Sequence, residues 1–163
     1  MAKIEFAEVY VASKDFVWRL TSKYIFSKED REDLFQEIFV NVHKALSRFR
    51  GESSINTWVY RIAVNTSINY LKKQKRHKWI KNMISSLKII EEEVQIVEID
   101  LQEFKPLKKL NPQQRMVLIL SDVEEKKLDE IAEIMKIPVG TVKSNLHRAR
   151  EIVKKEVSEN GRA

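Results

Sequence analysis

The polar residues best suited to chemistry gather near one end of the sequence. Thr141, Lys143, Ser144, Asn145, His147, Arg148 and Arg150 alternate with the apolar residues Val142, Leu146 and Ala149. On a helix, such a pattern turns the apolar set inward and the polar set outward. Lys and Arg can grip phosphates or bond the guanine edge. Asn can pair with adenine, and Ser and Thr suit either. That chemistry is recognition, not covalent catalysis. Cys is absent, which excludes a disulfide scaffold, a Cys-ligated zinc site, an iron–sulfur cluster and a thiol nucleophile. The three histidines, His43, His77 and His147, are far apart, which argues against a His-built metal centre. No nucleophile–base constellation, Gly-rich phosphate loop or metal-ligand spacing occurs, so no enzyme and no cofactor is expected.

The elements that would position this polar face are legible around it. Ile131, Ala132, Met135, Ile137, Val142, Leu146 and Ala149 form two apolar stripes joined by a short turn. Ala132 sits where two crossing helices come closest, and Val142 anchors the second helix. The spacing predicts a helix-turn-helix whose second helix enters the major groove. Lys136 holds the turn position where Gly is usual because the backbone there is left-handed, at a cost of about 1 kcal/mol.

The chain has 163 residues, enough for one ordinary domain or two small ones. Only 3 Gly and 3 Pro, with abundant Leu, Ile, Lys and Glu, point to an all-α protein. The net charge of +6 is uneven: +8 over residues 1–90, −5 over 91–105 and +3 over 106–163. This fits two nucleic-acid-facing modules joined by an acidic connector, and also solvated helix faces around a linker. No run approaches a membrane span and no signal-peptide pattern is present, so a soluble, cytoplasmic protein is expected.

Residues 5–26 read as one or two amphipathic helices. Ser27 with Asp30 starts the next, which reaches Phe49. Residues 50–54 read as a loop, and Ser54 or Asn56 can cap a third helix running to about Lys78. Its basic tail, residues 72–78, suits phosphate contact and also suits a helix C-terminus. Residues 79–105 lack Gly and Pro and are rich in Ile and Val, so this stretch is expected to pack on something, helical or extended. Beyond it, Asn111-Pro112 caps a helix with a body at 115–120, residues 122–127 turn, and Leu128–Met135 and 139–157 are helices.

At this point a resemblance emerges. Asp33-Leu34-Phe35-Gln36-Glu37, Arg48-Phe49-Arg50-Gly51-Glu52-Ser53-Ser54 and Thr57-Trp58-Val59-Tyr60-Arg61-Ile62-Ala63-Val64-Asn65 resemble the second conserved region of bacterial sigma factors. Asn111-Pro112-Gln113-Gln114-Arg115, then Asp129-Glu130-Ile131-Ala132-Glu133-Ile134-Met135, then residues 137–150 resemble their fourth region. The order of the two, with a short connector, is similar to the extracytoplasmic-function sigma factors. The resemblance implies two small helical domains, 1–78 and 107–163, joined by a connector at 79–106.

It also implies a division of roles. A sigma factor binds RNA polymerase core, directs it to promoter DNA and helps open the duplex. Asp33, Leu34, Gln36 and Glu37 match the family's core-polymerase contact. Asp33 and Glu37 are four apart and share a helix face, so an acidic and amide patch would meet a basic helix pair. Phe49, Arg50, Asn56, Tyr60, Arg61, Asn65, Lys72 and Lys73 fall in the part that reads the minus-ten element. There aromatic surface receives unstacked bases and cations meet phosphates. Trp58, on the stripe with Ile55 and Ile62, belongs more naturally to the core. Thr141, Lys143, Ser144, Asn145, His147 and Arg148 would read the minus-thirty-five element. Asn145 stands where many relatives carry Arg. The acidic connector would thread toward the active-site cleft of the polymerase, or else pack as an interdomain or partner-binding helix. An anti-sigma factor is an implied partner, and the chain itself is not expected to be membrane-embedded. The alternative is a stand-alone helix-turn-helix regulator, which would need neither the 33–37 patch nor the 49–65 motif.

Overall fold

The computed structural model describes residues 4–86 and 105–161. Among them all regular structure is helical. The N-terminal half is three helices. α1 (Phe6–Tyr24) buries Val9, Ser13, Val17, Leu20, Thr21 and Tyr24 along one stripe. The expected one or two helices are therefore a single one. α2 (Lys28–Leu46) opens as expected, with Ser27 accepting from the Asp30 amide at 3.4 Å. It buries Leu34, Ile38, Phe39 and Val42. α3 (Ile55–Ser86) is started by Ser54, whose hydroxyl accepts from the Thr57 amide at 3.1 Å. Tyr10 of α1 packs edge-on against Phe39 of α2 at 4.7 Å, and Phe35 and Phe39 meet edge-on within α2 at 5.0 Å.

α3 is longer than the sequence pattern suggests. Its 32 residues run past Lys78 to Ser86, about 48 Å at the rise of an α-helix. No Pro or Gly interrupts 79–86, so nothing in the backbone stops the helix there. The first eight residues of the expected connector are thus the end of α3. Residues 87–104, its centre and most of its acidic charge, lie outside the described residues.

The C-terminal half is compact around short helices: α4 (Lys105–Lys108), α5 (Pro112–Leu118), α6 (Leu128–Met135) and α7 (Val139–Asn160). Asn111 caps α5 reciprocally: its side chain accepts from the Gln114 amide at 2.8 Å, and Gln114 accepts from the Asn111 amide at 3.1 Å. The helix leaves α5 through a π-helical turn, Ile119–Val123, so the expected body and turn overlap there.

The two halves touch along α3. Buried residues from both form one continuous apolar cluster, from Val9 through Val64 to Met116 and Ala149. Arg115 is the polar centre of the seam. It is 4% exposed, and no carboxylate answers it in the ion pairs of the described residues. Instead it donates to the Tyr24 carbonyl at 3.1 Å and the Leu107 carbonyl at 3.0 Å. Its guanidinium lies 5.1 Å from the Phe26 ring centre and 5.7 Å from that of Tyr24. Burial pushes its pKa down, but a guanidinium stays charged. Hydrogen bonds to backbone carbonyls also cross the seam. The Tyr24 hydroxyl donates to the Pro112 carbonyl at 2.9 Å, and the Lys75 ammonium to the Leu110 carbonyl at 2.7 Å. Burial holds the Lys75 ammonium below its usual pKa.

Candidate nucleic-acid interface

α6, the turn and α7 place the first polar face. Lys136 ends α6 with φ 52° and ψ 47°, in the left-handed region that the sequence pattern assigned to it. The Ile137 amide donates back to the Ala132 carbonyl at 3.1 Å, and Pro138 opens α7. Val142, Leu146 and Ala149 are buried and lock α7 down. Lys143, Ser144, His147 and Arg148 are exposed, and Thr141 is half-buried. The Ser144 hydroxyl donates to the Thr141 carbonyl at 3.1 Å.

Asn145 does not join that face. It is buried, three residues beyond Val142 and four before Ala149, which puts it on the inward stripe. Residue type suggested an outward reader, but helix phase overrules it. Arg150 is also committed. It meets Asp122 through two bonds, Nε to Oδ2 at 3.1 Å and Nη2 to Oδ1 at 2.6 Å. The Arg150 bonds hold the Asp122 carboxyl below the usual carboxylate range.

α3 and the loop before it place the second face. Gly51 takes φ 72°, a conformation that suits a residue without Cβ. The loop folds Phe49 onto Trp58, with ring centres 5.1 Å apart. Trp58 is half-buried, so it borders the surface and is not sealed in the core. A cavity of about 350 Å³ opens here, lined by Arg50, Trp58, Arg61 and Asn65 and by two residues that the sequence reading did not assign to it, Arg48 and Lys136. Asn56, Lys72 and Lys73, also on α3, are exposed but do not line it. Lys136 comes from the other half, 71 positions beyond Asn65, and no local pattern links them.

Tyr60 and Arg61 face the seam. Tyr60 packs against Phe16 at 5.7 Å, and the Lys126 ammonium lies 5.4 Å from its ring centre. Its hydroxyl is buried without a hydrogen-bond partner. Burial, then the nearby Glu124, push its pKa well above the phenol range. Arg61 is ion-paired with Glu133 of α6.

The third surface is on α2. Asp33, Gln36 and Glu37 are exposed together, as their spacing requires. Leu34 is 0% exposed, so it supports the patch from beneath and cannot itself touch a partner. Its neighbour instead is an apolar groove of about 460 Å³ between α1 and α2, lined by Phe6, Tyr10, Phe35, Phe39 and Val40, with Gln36 at its rim. The 49% exposure of Val40 is the sequence-level surprise. An apolar residue on the outward side of α2 was the one available signal for the groove. No helix among the described residues is long and apolar enough to cross a membrane.

Comparison with known proteins fits this geometry. Residues 9–77 match the model of Sigma-70 region 2, and residues 107–153 match that of Sigma-70, region 4. The chain is 37% identical to the ECF RNA polymerase sigma-E factor of Escherichia coli (strain K12), covering 85% of this chain and 78% of that one. It is 32% identical to the protein of the same name from Haemophilus influenzae, covering 85% and 79%. The fold is also that of the sigma factor RpoE of Bartonella quintana, crystallised with the anti-sigma factor NepR. That likeness has a TM-score of 0.66 at 23% identity and covers 94% of this chain and 96% of that one. CnrH, solved with the cytosolic domain of CnrY, matches with a TM-score of 0.62 at 18% identity over 94% and 88%. Two region models in this order, together with relatives of this identity and coverage, make the chain a member of the extracytoplasmic-function sigma factors of the sigma-70 family.

Proposed function

We propose a division of labour within this RNA polymerase sigma factor. Asp33, Gln36 and Glu37 dock on the core enzyme. The loop at 49–54 and the outer face of α3 take the unpaired strand of the minus-ten element. There Phe49 and Trp58 supply stacking surface, Arg50, Arg61, Lys72 and Lys73 meet phosphates, and Asn56, Tyr60 and Asn65 lie beside them. α7 reads the minus-thirty-five duplex through Thr141, Lys143, Ser144, His147 and Arg148. Residues 1–78 and 107–163 thereby form the two working parts, joined by a connector at 79–106. An anti-sigma factor is the expected restraint, a reading supported by the two similarly folded proteins that were solved with such partners or partner domains.

One observation carries this reading. α7 sits as the second helix of a helix-turn-helix with its apolar anchors buried and four consecutive-turn polar residues open to solvent. The acidic patch on α2 separates a sigma factor from a plain DNA-binding regulator. Asp33→Ala with Glu37→Ala should weaken binding to core polymerase in a titration while circular dichroism stays that of the parent. A folded double variant that binds core with parental affinity would remove the docking assignment.

A further inference from the structure

α3 continues past the part that either family region accounts for. The matched regions end at residue 77 and resume at 107, while the helix runs to Ser86. Along it, Asn65, Asn69, Lys72, Arg76, Trp79 and Met83 follow one another at spacings of four and three, so they share one face. Asn65 lines the cavity beside Trp58, and the other five are exposed. Trp79 is the extreme case, with 64% of it open to solvent, and Met83 follows at 44%. Lys78 and Lys81 flank this face, and no acidic residue occurs between Ile55 and Ser86. None of these cations enters an ion pair among the described residues. Lys75, off the stripe, donates to the Leu110 carbonyl at 2.7 Å, so the C-terminal half docks beside the stripe and not over it.

The geometry points to a second stacking station for unpaired DNA: the end of α3 carries the strand onward from Asn65, with Trp79 receiving a base and Lys72, Arg76, Lys78 and Lys81 meeting the phosphates around it. This rests on the assignment of α3 to the unpaired strand. Trp79 lies about 21 Å beyond Asn65 at the rise of an α-helix, a reach of several nucleotides. Every base has a π-face, so an exposed indole among cations holds a strand without reading its sequence. The composition of the face favours DNA over a lipid surface or a protein groove. Both of those need a wide apolar stripe. Here Trp79 and Met83 stand alone among cations, and Ile80 and Ile84, which would widen the stripe, are half-buried.

Trp79→Ala in the full chain tests the station. The site is exposed, so the fold should stand, and circular dichroism checks this. The probes are single-stranded oligodeoxynucleotides of random sequence, lengthened stepwise. They are bound to the chain alone and to the chain reconstituted with bacterial core polymerase. Affinity in the parent should rise once the strand is long enough to reach Trp79. The variant should bind short strands as the parent does and lose that rise, a deficit of roughly fivefold or more on long strands. Trp79→Phe should restore most of it. An identical length dependence in parent and Trp79→Ala would overturn the station, and so would an equal loss at every length. If Trp79→Ala spares all strands but abolishes binding to vesicles of anionic phospholipid, the face belongs to a lipid surface and the station is refuted. Arg50→Gln separates the two readings. A loss on short strands there, with no effect of Trp79→Ala, refutes the station alone. No effect of Arg50→Gln on any strand refutes the strand-reading role of the loop and α3, and the station with it.

Discussion

α3 and α7 are the two helices proposed to face DNA, and they meet their surroundings differently. α3 carries no acidic residue in 32 positions and buries Val59, Ala63, Val64, Thr66, Ser67, Ile68 and Leu71. It is clasped by α1 and α2 on one side and by α5 and α6 on the other. α7 buries only Val142, Asn145, Leu146 and Ala149, all from its first half. The first part of α3 serves as core for both halves, so Tyr60 and Arg61 end in a seam, while Asn56 and the 72–86 end stay largely exposed. A helix clasped from one side keeps its polar face in water. The same functional type of side chain thus meets a carboxylate at Arg61 and solvent at Arg148.

Breaking the seam should give the largest effect. Arg115→Met keeps the volume and deletes the donors to the Tyr24 and Leu107 carbonyls, leaving buried acceptors unanswered at a cost of about 3 kcal/mol. Urea denaturation reads this as a lower midpoint. A loss below about 1 kcal/mol would mean that the apolar cluster alone joins the halves. Next comes the open face. Arg148→Ala should weaken duplex binding by about 1–3 kcal/mol and flatten its salt dependence. Asn145→Ala, on the buried stripe, should lower stability by about 1 kcal/mol and leave duplex affinity unchanged. If Asn145→Ala instead costs duplex affinity in a stable protein, the inward placement of that residue is wrong.

Much of this arrangement was legible from local signals. The Ser27 and Asn111 caps, the limits of α6 and the left-handed Lys136 each depend on residues within a few positions of one another. Lys136→Gly should raise stability by about 1 kcal/mol in the same urea titration, since Gly takes φ 52° without a Cβ clash. An unchanged midpoint would show that the Lys136 side chain offsets its own strain through the cavity it lines. Asn145 and Leu34 were misplaced for related reasons. One was judged by its polarity and the other by its place in a motif, where helix phase decided both. The seam was not legible at all. Nothing near Arg61 in sequence announces Glu133, and nothing near Tyr24 announces Arg115. The basic run 72–78 has the composition of a helix end, yet no residue in 79–86 breaks a helix, so α3 continues to Ser86.

The smallest expected effect concerns the pair that ties α7 to the π-helical turn. The Asp122 carboxyl has a folded pKa below its unfolded one. Its contribution is therefore full above the unfolded value, near ~3.9, and fades as pH falls through the lower folded value. Both side chains are substantially exposed, at 55% and 36%, so the pair contributes less than ~1 kcal/mol. Asp122→Asn should destabilise more at pH 7 than at pH 3. An equal effect at both would assign the loss to packing, not charge.

In vitro transcription from a promoter library, with bacterial core polymerase in the presence and absence of this chain, reads the sigma role of the chain itself. Sequence-selective transcripts are expected only when the chain is present, and should be lost with Asp33→Ala plus Glu37→Ala. A chain that binds duplex DNA through α7 but never binds core or directs a transcript would contradict it.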